Sequence, residues 1–197
     1  MVDVSFDDAT HTYTLNGVVQ PSVTQILLAM ELYKGHEFMT DEHATRGKYV
    51  HLACELLDRD DLDETDLDES LRGYVEAYKK FKVESGFKPE LIEYRVCSRI
   101  YGFAGTLDRT GTINEIYCIL DIKSGVKQPC DALQTAAYMV ALGEEKGWEK
   151  KVRCQRYALY LGKDETYKLE QHANHTDKDV FLSALAVCKY KKENGLI

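Results

Sequence analysis

The chain is expected to fold as one α/β (α+β) domain. A central mixed β-sheet is flanked by α-helices and preceded by an N-terminal β-hairpin. Three observations predict this. Helical segments come first, and strand-like segments follow with one helix among them, the order of a mixed sheet covered by helices. The length of 197 residues suits one domain with a full core. Only three prolines occur, with no low-complexity linker and no long repeat, so residues 1–197 read as one unit.

Each element has a local reason. "HTYTLNGVVQPSV" alternates around Asn16-Gly17, a strong hairpin signal. Ser22 can cap a helix continuing through "VTQILLAMEL". A second helix is expected over "DEHATRGKYVHLACELLD", and a third over about Leu71 to Glu84, ending near Gly86 and Pro89. Three strands follow in "LIEYRVCSRI", "GTLDRTGTI" and "IYCILDIKS". A helix in "ALQTAAYMVALGEEKG" precedes strands in "VRCQRYALYLG" and "TYKLEQ", and a last helix covers about Lys178 to Glu193.

Composition narrows the function classes. Hydrophobic content of 44% and charged content of 29% are those of a soluble globular protein. No apolar run approaches the ~20 residues that span a bilayer. The start "MVDVSFDDATH" lacks the basic and apolar parts of a signal peptide, so a cytoplasmic protein is expected. The six cysteines are scattered and form no CxxC pair, so they read as reduced thiols, mostly core filler.

The net charge of −8 argues against a polyanion partner only until its distribution is considered. "DRDDLDETDLDES" (58–70) holds eight acids and one arginine, a net of −7, which leaves −1 for all other residues. That stretch reads as a solvated interhelical loop. Lys150, Lys151, Arg153 and Arg156 form a basic cluster that either tracks a nucleic-acid backbone or is a solvated edge.

"GFAGTLDRTGTINEIYCILDIKSG" (102–125) places Asp108, Asp121 and Lys123 in what otherwise reads as a buried hairpin. With a turn at Asn114-Glu115, facing positions sum to 229, which makes Asp108 and Asp121 cross-strand neighbours. Lys123 shares the face of Asp121. A one-residue slip would put the aspartates on opposite faces. Adjacent carboxylates repel, and a divalent cation removes that conflict. A lysine beside such a site positions or deprotonates a water, or neutralises developing charge. The set suits phosphodiester hydrolysis. D-x-K by itself also fits a strand ending in a surface salt bridge.

The wider pattern resembles the PD-(D/E)xK nuclease superfamily, in its RecB-like and phage-exonuclease branch. The matching pieces are G-x-x-D at Gly105 to Asp108, D-x-K at Asp121 to Lys123 and Q-x-x-x-Y at Gln134 to Tyr138. "RGKYVH" resembles that branch's histidine-bearing helix, "IEYRV" its glutamate-bearing strand, and "YTLNGVVQPSVTQIL" its N-terminal segment. The resemblance implies a restriction-endonuclease-like core. It implies that His51, Asp108, Asp121 and the Ile122 carbonyl bind Mg²⁺ or Mn²⁺, with Glu93 at the edge of the site. Lys123 would serve the attacking water, and Gln134 and Tyr138 would steady the site or the DNA strand. Arg46 could hold a phosphate.

What the resemblance implies is a Mg²⁺-dependent DNA exonuclease of recombination, repair or phage type, encoded by a bacterial host or a phage. A structure- or strand-selective endonuclease on the same fold, and a catalytically silent DNA-binding or assembly module, are the alternatives. DNA is the implied partner; a single-strand-annealing or single-strand-binding protein and a homo-oligomer are compatible with it. Cys188 stands alone near the C-terminus, so no iron–sulfur cluster is expected.

Overall fold

The structure, a computed structural model, describes residues 4–33, 41–148 and 153–197. Its first three strands form a small antiparallel sheet: β1 (Val4–Asp7), β2 (Thr12–Leu15) and β3 (Val18–Gln20). The hairpin turns at Asn16 and Gly17, both with positive φ, as predicted. The added strand is β1, which the sequence reading did not anticipate. Its four residues, VSFD, run straight into a turn and offer too short an alternation to stand out.

Helix α1 (Val23–Ala29) starts with a full capping box. Ser22 Oγ accepts the Gln25 amide, and Gln25 Oε1 accepts the Ser22 amide. It ends before the predicted segment does, because the chain turns left-handed at Glu31. Helix α2 (Asp41–Asp58) occupies the predicted segment residue for residue. Helix α3 (Glu69–Ser85) is capped by Asp68, and Gly86 closes it at φ 64°. The acidic stretch is therefore more than a solvated loop, since Asp68 and Glu69 complement a helix N-terminus.

The main sheet runs in the order β4 (Lys88–Ser98), β5 (Phe103–Ile113), β6 (Ile116–Lys123), β7 (Gln155–Leu161), β8 (Tyr167–Gln171). Helix α4 (Asp131–Glu145) is the crossover that makes β6 and β7 parallel; the other pairings are antiparallel. Helix α5 (Asp177–Glu193) follows β8. This is the expected mixed sheet, covered on both faces.

Alternation along β6 divides the core. Cys118, Leu120 and Ile122 pack with Val50 and Cys54 of α2 and with Tyr78 and Phe81 of α3. Ile119 packs on the other face with α1, α4 and α5, represented by Ile26, Leu142 and Phe181. A strand covered on both faces reads as a continuous apolar run, which is why "IYCIL" lacks polar alternation. The small sheet is tied on through Tyr13, Cys97 and Ala104. No helix among the described residues is long and apolar enough to cross a membrane.

The β5–β6 register is the predicted one: Ile113 faces Ile116, and the pairs run back to Arg109 facing Leu120. Both turn residues, Asn114 and Glu115, have positive φ. Glutamate is strained there by about 1–2 kcal/mol, and glycine recovers most of that after its entropy cost. Glu115→Gly is expected to stabilise the protein by about 0.5–1 kcal/mol, read as a rise of a few degrees in melting temperature.

Candidate active site

Packing of Val50 and Cys54 against β6 fixes the orientation of α2, and His51 follows from it. His51 Nδ1 lies 3.6 Å from Asp108 Oδ1 on β5 and 3.8 Å from Glu93 Oε1 on β4. Ligand-capable atoms of these three residues all lie within 4.8 Å of one another, the spacing a single cation could bridge. Glu93 adopts a left-handed φ of 47° inside β4, between the pairs Ile92–Arg109 and Tyr94–Leu107. Such a conformation costs a non-glycine residue about 1–3 kcal/mol and is characteristic of functional sites.

Asp108 and Asp121 are not a ladder pair, although the register predicted one. The β5–β6 ladder stops at Arg109–Leu120. Beyond it the Asp108 carboxylate accepts the Ile122 amide through Oδ2 at 2.6 Å. The side chain has taken over the acceptor role of the backbone, so the strands separate where the acids gather. Ile122, whose carbonyl the sequence reading offers as a ligand, lines the resulting cleft.

Asp121 is 1% exposed, and neither of its carboxylate oxygens receives a hydrogen bond. Lys123 Nζ approaches Oδ2 to 2.8 Å, an ion pair lying off hydrogen-bonding directions. The same ammonium donates to Gln134 Oε1 at 2.8 Å, and Gln134 Nε2 donates to the Tyr138 hydroxyl at 3.0 Å. Spacing of four residues on α4 puts both on one face. Gly105 makes room for the tyrosine, because a Cβ there would lie 2.9 Å from Tyr138 Cε1. Arg46 lines the cleft half-buried, and its buried Nε has no hydrogen-bond partner.

The electrostatics are those of crowded acids. Burial pushes both Asp108 and Asp121 up; Lys123 opposes the rise at Asp121, which still reaches about 7. Burial works against a charge on His51, but Asp108 and Glu93 outweigh it and raise the imidazole to about 9. Burial likewise opposes the charge on Lys123, and Asp121, Asp131 and Asp108 overcome it, holding the ammonium well above its usual range. In this form a proton on His51 supplies the positive charge that the acids require.

Three residues of the site neighbourhood escaped the sequence reading. Arg109 is fully buried directly after Asp108. It donates to Asp58 Oδ2 at 2.7 Å, to Glu93 Oε1 at 2.9 Å and to the Asp108 carbonyl at 2.6 Å. Asp58, counted in the sequence reading with the solvated acidic run, has a fully buried side chain that also accepts from Tyr78 and Lys82. Asp131 stands 3.7 Å from Lys123 and accepts from Tyr160 and the Gln128 amide, leaving Oδ1 without a hydrogen bond. The available signal was Arg109 itself, a further charge within the apolar strands of the hairpin.

Of the basic cluster, Lys150 and Lys151 lie outside the described residues. Arg156 is turned inward: it donates to Asp177 and to the Ala132 and Asn174 carbonyls, so it pins α4 and α5 to β7 and tracks no backbone. Other cations line the open cleft of about 1950 Å³ with the acids, among them Arg46, Lys48, Arg95, Arg99 and Lys123.

A family model of the PD-(D/E)XK nuclease superfamily matches residues 63–189, which takes in Glu93, Asp108, Asp121, Lys123 and the α4 pair, but starts after His51. A crystal structure from Eubacterium rectale described as "Putative exonuclease" is similar in fold, with a TM-score of 0.51 and 8% identity. The alignment covers 77% of this chain and 69% of that one. None of the curated proteins matches the chain.

Two variants test this arrangement. Asp58→Asn leaves Arg109 buried without a full counter-charge and is expected to cost about 3–5 kcal/mol, seen in a denaturant melt. Asp121→Asn has the opposite sign. The folded carboxyl titrates near 7 and the unfolded one near ~3.9, so the folded state loses stability as pH rises through that window. In chelator at pH 8 the asparagine variant should melt higher than wild type, and near pH 4 the two should converge.

Proposed function

Because the chain belongs to the PD-(D/E)XK nuclease superfamily, we propose that this cleft hydrolyses DNA phosphodiester bonds with Mg²⁺ and acts from DNA ends, as an exonuclease. The carrying observation is Asp121. Among the described residues its buried carboxylate is faced by the Lys123 ammonium alone, at 2.8 Å and out of hydrogen-bonding line, and sits beside a His/Glu/Asp cluster whose atoms could share one ion. Crowded buried acids of this kind raise one another's proton affinity, and a divalent cation relieves that repulsion.

The residues fit a divalent metal. His51, Glu93, Asp108 and Asp121 would hold it, with the Ile122 carbonyl as a further oxygen. When bound, it supplies Lewis-acid polarisation of a phosphoryl oxygen and a water of lowered pKa. A nitrogen from His51 in a shell of oxygens favours Mn²⁺ relative to an all-oxygen site. Lys123 is held protonated by its acids, so its role is to orient the attacking water and to stabilise charge on the phosphate rather than to accept a proton. Gln134 fixes the direction of that ammonium, and Tyr138 fixes Gln134. Asp131 counters Lys123 from the far side. Arg46 would clamp a neighbouring phosphate.

The test is a time course on end-labelled linear DNA and closed circular DNA. Loss of linear DNA alone, dependent on Mg²⁺ or Mn²⁺ and blocked by chelator, is the expected result. Nicking of the circle would mean an endonuclease, and full activity in chelator would end the metal reading. His51 must lose its proton to bind metal, and in the folded protein that proton titrates near 9. Metal affinity should therefore climb as pH rises from 7 towards 9, with proton release seen by calorimetry in buffers of different ionisation enthalpy. A fall limited to the range below ~6.5 would describe an unperturbed imidazole instead.

A further inference from the structure

We propose that Phe6 and Arg95 form a stacking clamp for an unpaired DNA base next to the acidic cluster. The inference rests on the nuclease reading and adds the class of DNA: a single strand or a single-stranded end.

The clamp is built from two sheets. Phe6, on β1, packs tilted on Tyr13 with centroids 4.5 Å apart and meets His11 edge-on at 5.1 Å. His11 holds a left-handed φ of 50° in the turn that brings it there. The Arg95 guanidinium lies over the Phe6 ring, 5.1 Å from its centroid. Its strand position faces Thr106, and Thr106 Oγ1 shares a 2.9 Å hydrogen bond with the Tyr13 hydroxyl. The aromatic group and the cation are thus fixed to one another and to β5.

Three features point to a base as occupant. Arg95 is exposed and has no carboxylate partner among the described residues, so its outer face and its N–H groups are open. A planar guanidinium held on an aromatic ring is already ordered, which lowers the entropy cost of stacking a second planar group on it. Phe6, His11 and Arg95 line the same cleft as His51, Glu93 and Asp108. Arg95 is two residues beyond Glu93 on β4, about 7 Å along the strand. That is the reach of one or two nucleotides from the acids, given about 3.4 Å per nucleotide in a stacked strand. Inside a duplex both faces of a base are covered by its neighbours, and at a blunt end the terminal base is still held by its pairing partner. A side-chain stack therefore selects an unpaired base and tolerates any base identity.

The experiment measures binding by fluorescence anisotropy, with Ca²⁺ in place of Mg²⁺. The probes are a labelled oligonucleotide, the same strand with single abasic sites placed in turn, and a blunt duplex. Phe6→Leu and Arg95→Gln should each weaken single-strand binding about tenfold and leave blunt-duplex binding within twofold. Wild type should show one abasic position that costs a similar factor, and that position should cost Phe6→Leu nothing. Arg95→Gln is a surface change, so it keeps the test valid if Phe6→Leu melts early. Equal losses on both DNA forms overturn the clamp, as does a lowered melting temperature with unchanged DNA binding, which would make the pair a structural contact between sheets. Wild type that binds neither form of DNA overturns the nuclease reading itself.

Discussion

A buried guanidinium organises this structure. Arg109 sits in the middle of β5 with no exposure to solvent, and a charge there is tolerable only if acids come to it. Asp58 comes from the end of α2 and Glu93 from β4. Those two bonds fix the end of the histidine-bearing helix and the left-handed residue of the edge strand against one point. Asp108 is the neighbouring residue and gives its own carbonyl to the same guanidinium. The group that never reaches the cleft therefore sets the positions of the groups that do.

The site has two halves with different mechanics. His51, Glu93 and Asp108 converge across three separate elements, so their geometry depends on tertiary packing. Asp121, Lys123, Gln134 and Tyr138 form a chain in which each member is fixed by the next, with Asp131 behind it. The join is the bond from the Ile122 amide to Asp108 Oδ2. A carboxylate there closes the sheet and faces His51 at once, one oxygen for each task.

Much of this was legible in the sequence where the signal was local. Asn16-Gly17 announced its hairpin, Ser22 its helix cap, and the symmetry around Asn114-Glu115 the register that carries Asp108 and Asp121 into the same region. What was lost was lost for physical reasons. Asp58 looked like one more member of an acidic run, because nothing beside it in sequence reveals a partner on a distant strand. Arg156 looked like part of a basic edge, because charge in sequence carries no direction, and only the fold turns it inward to Asp177. The strand β1 is too short for periodicity to register. The net charge was rightly discounted: acids dominate the total, yet Arg46, Lys48, Arg95 and Arg99 line the cleft alongside its acids.

The bond from the Tyr13 hydroxyl to Thr106 closes a loop of ninety-three positions. That gives the chain an order of events. Segments emerging first from a ribosome carry Phe6, Tyr13 and His51; Phe6 and Tyr13 can meet at once, but the Tyr13 hydroxyl and His51 lack Thr106 and Asp108 until β5 has been made. Closing loops of this size costs chain entropy before any contact repays it, and the repayment here comes from packing against a finished sheet. The acidic half of the cleft therefore waits for the second half of the chain. Nascent chains cut short before β5 carry the histidine and the aromatic wall without any of the aspartates at positions 108, 121 and 131, and hold no working site.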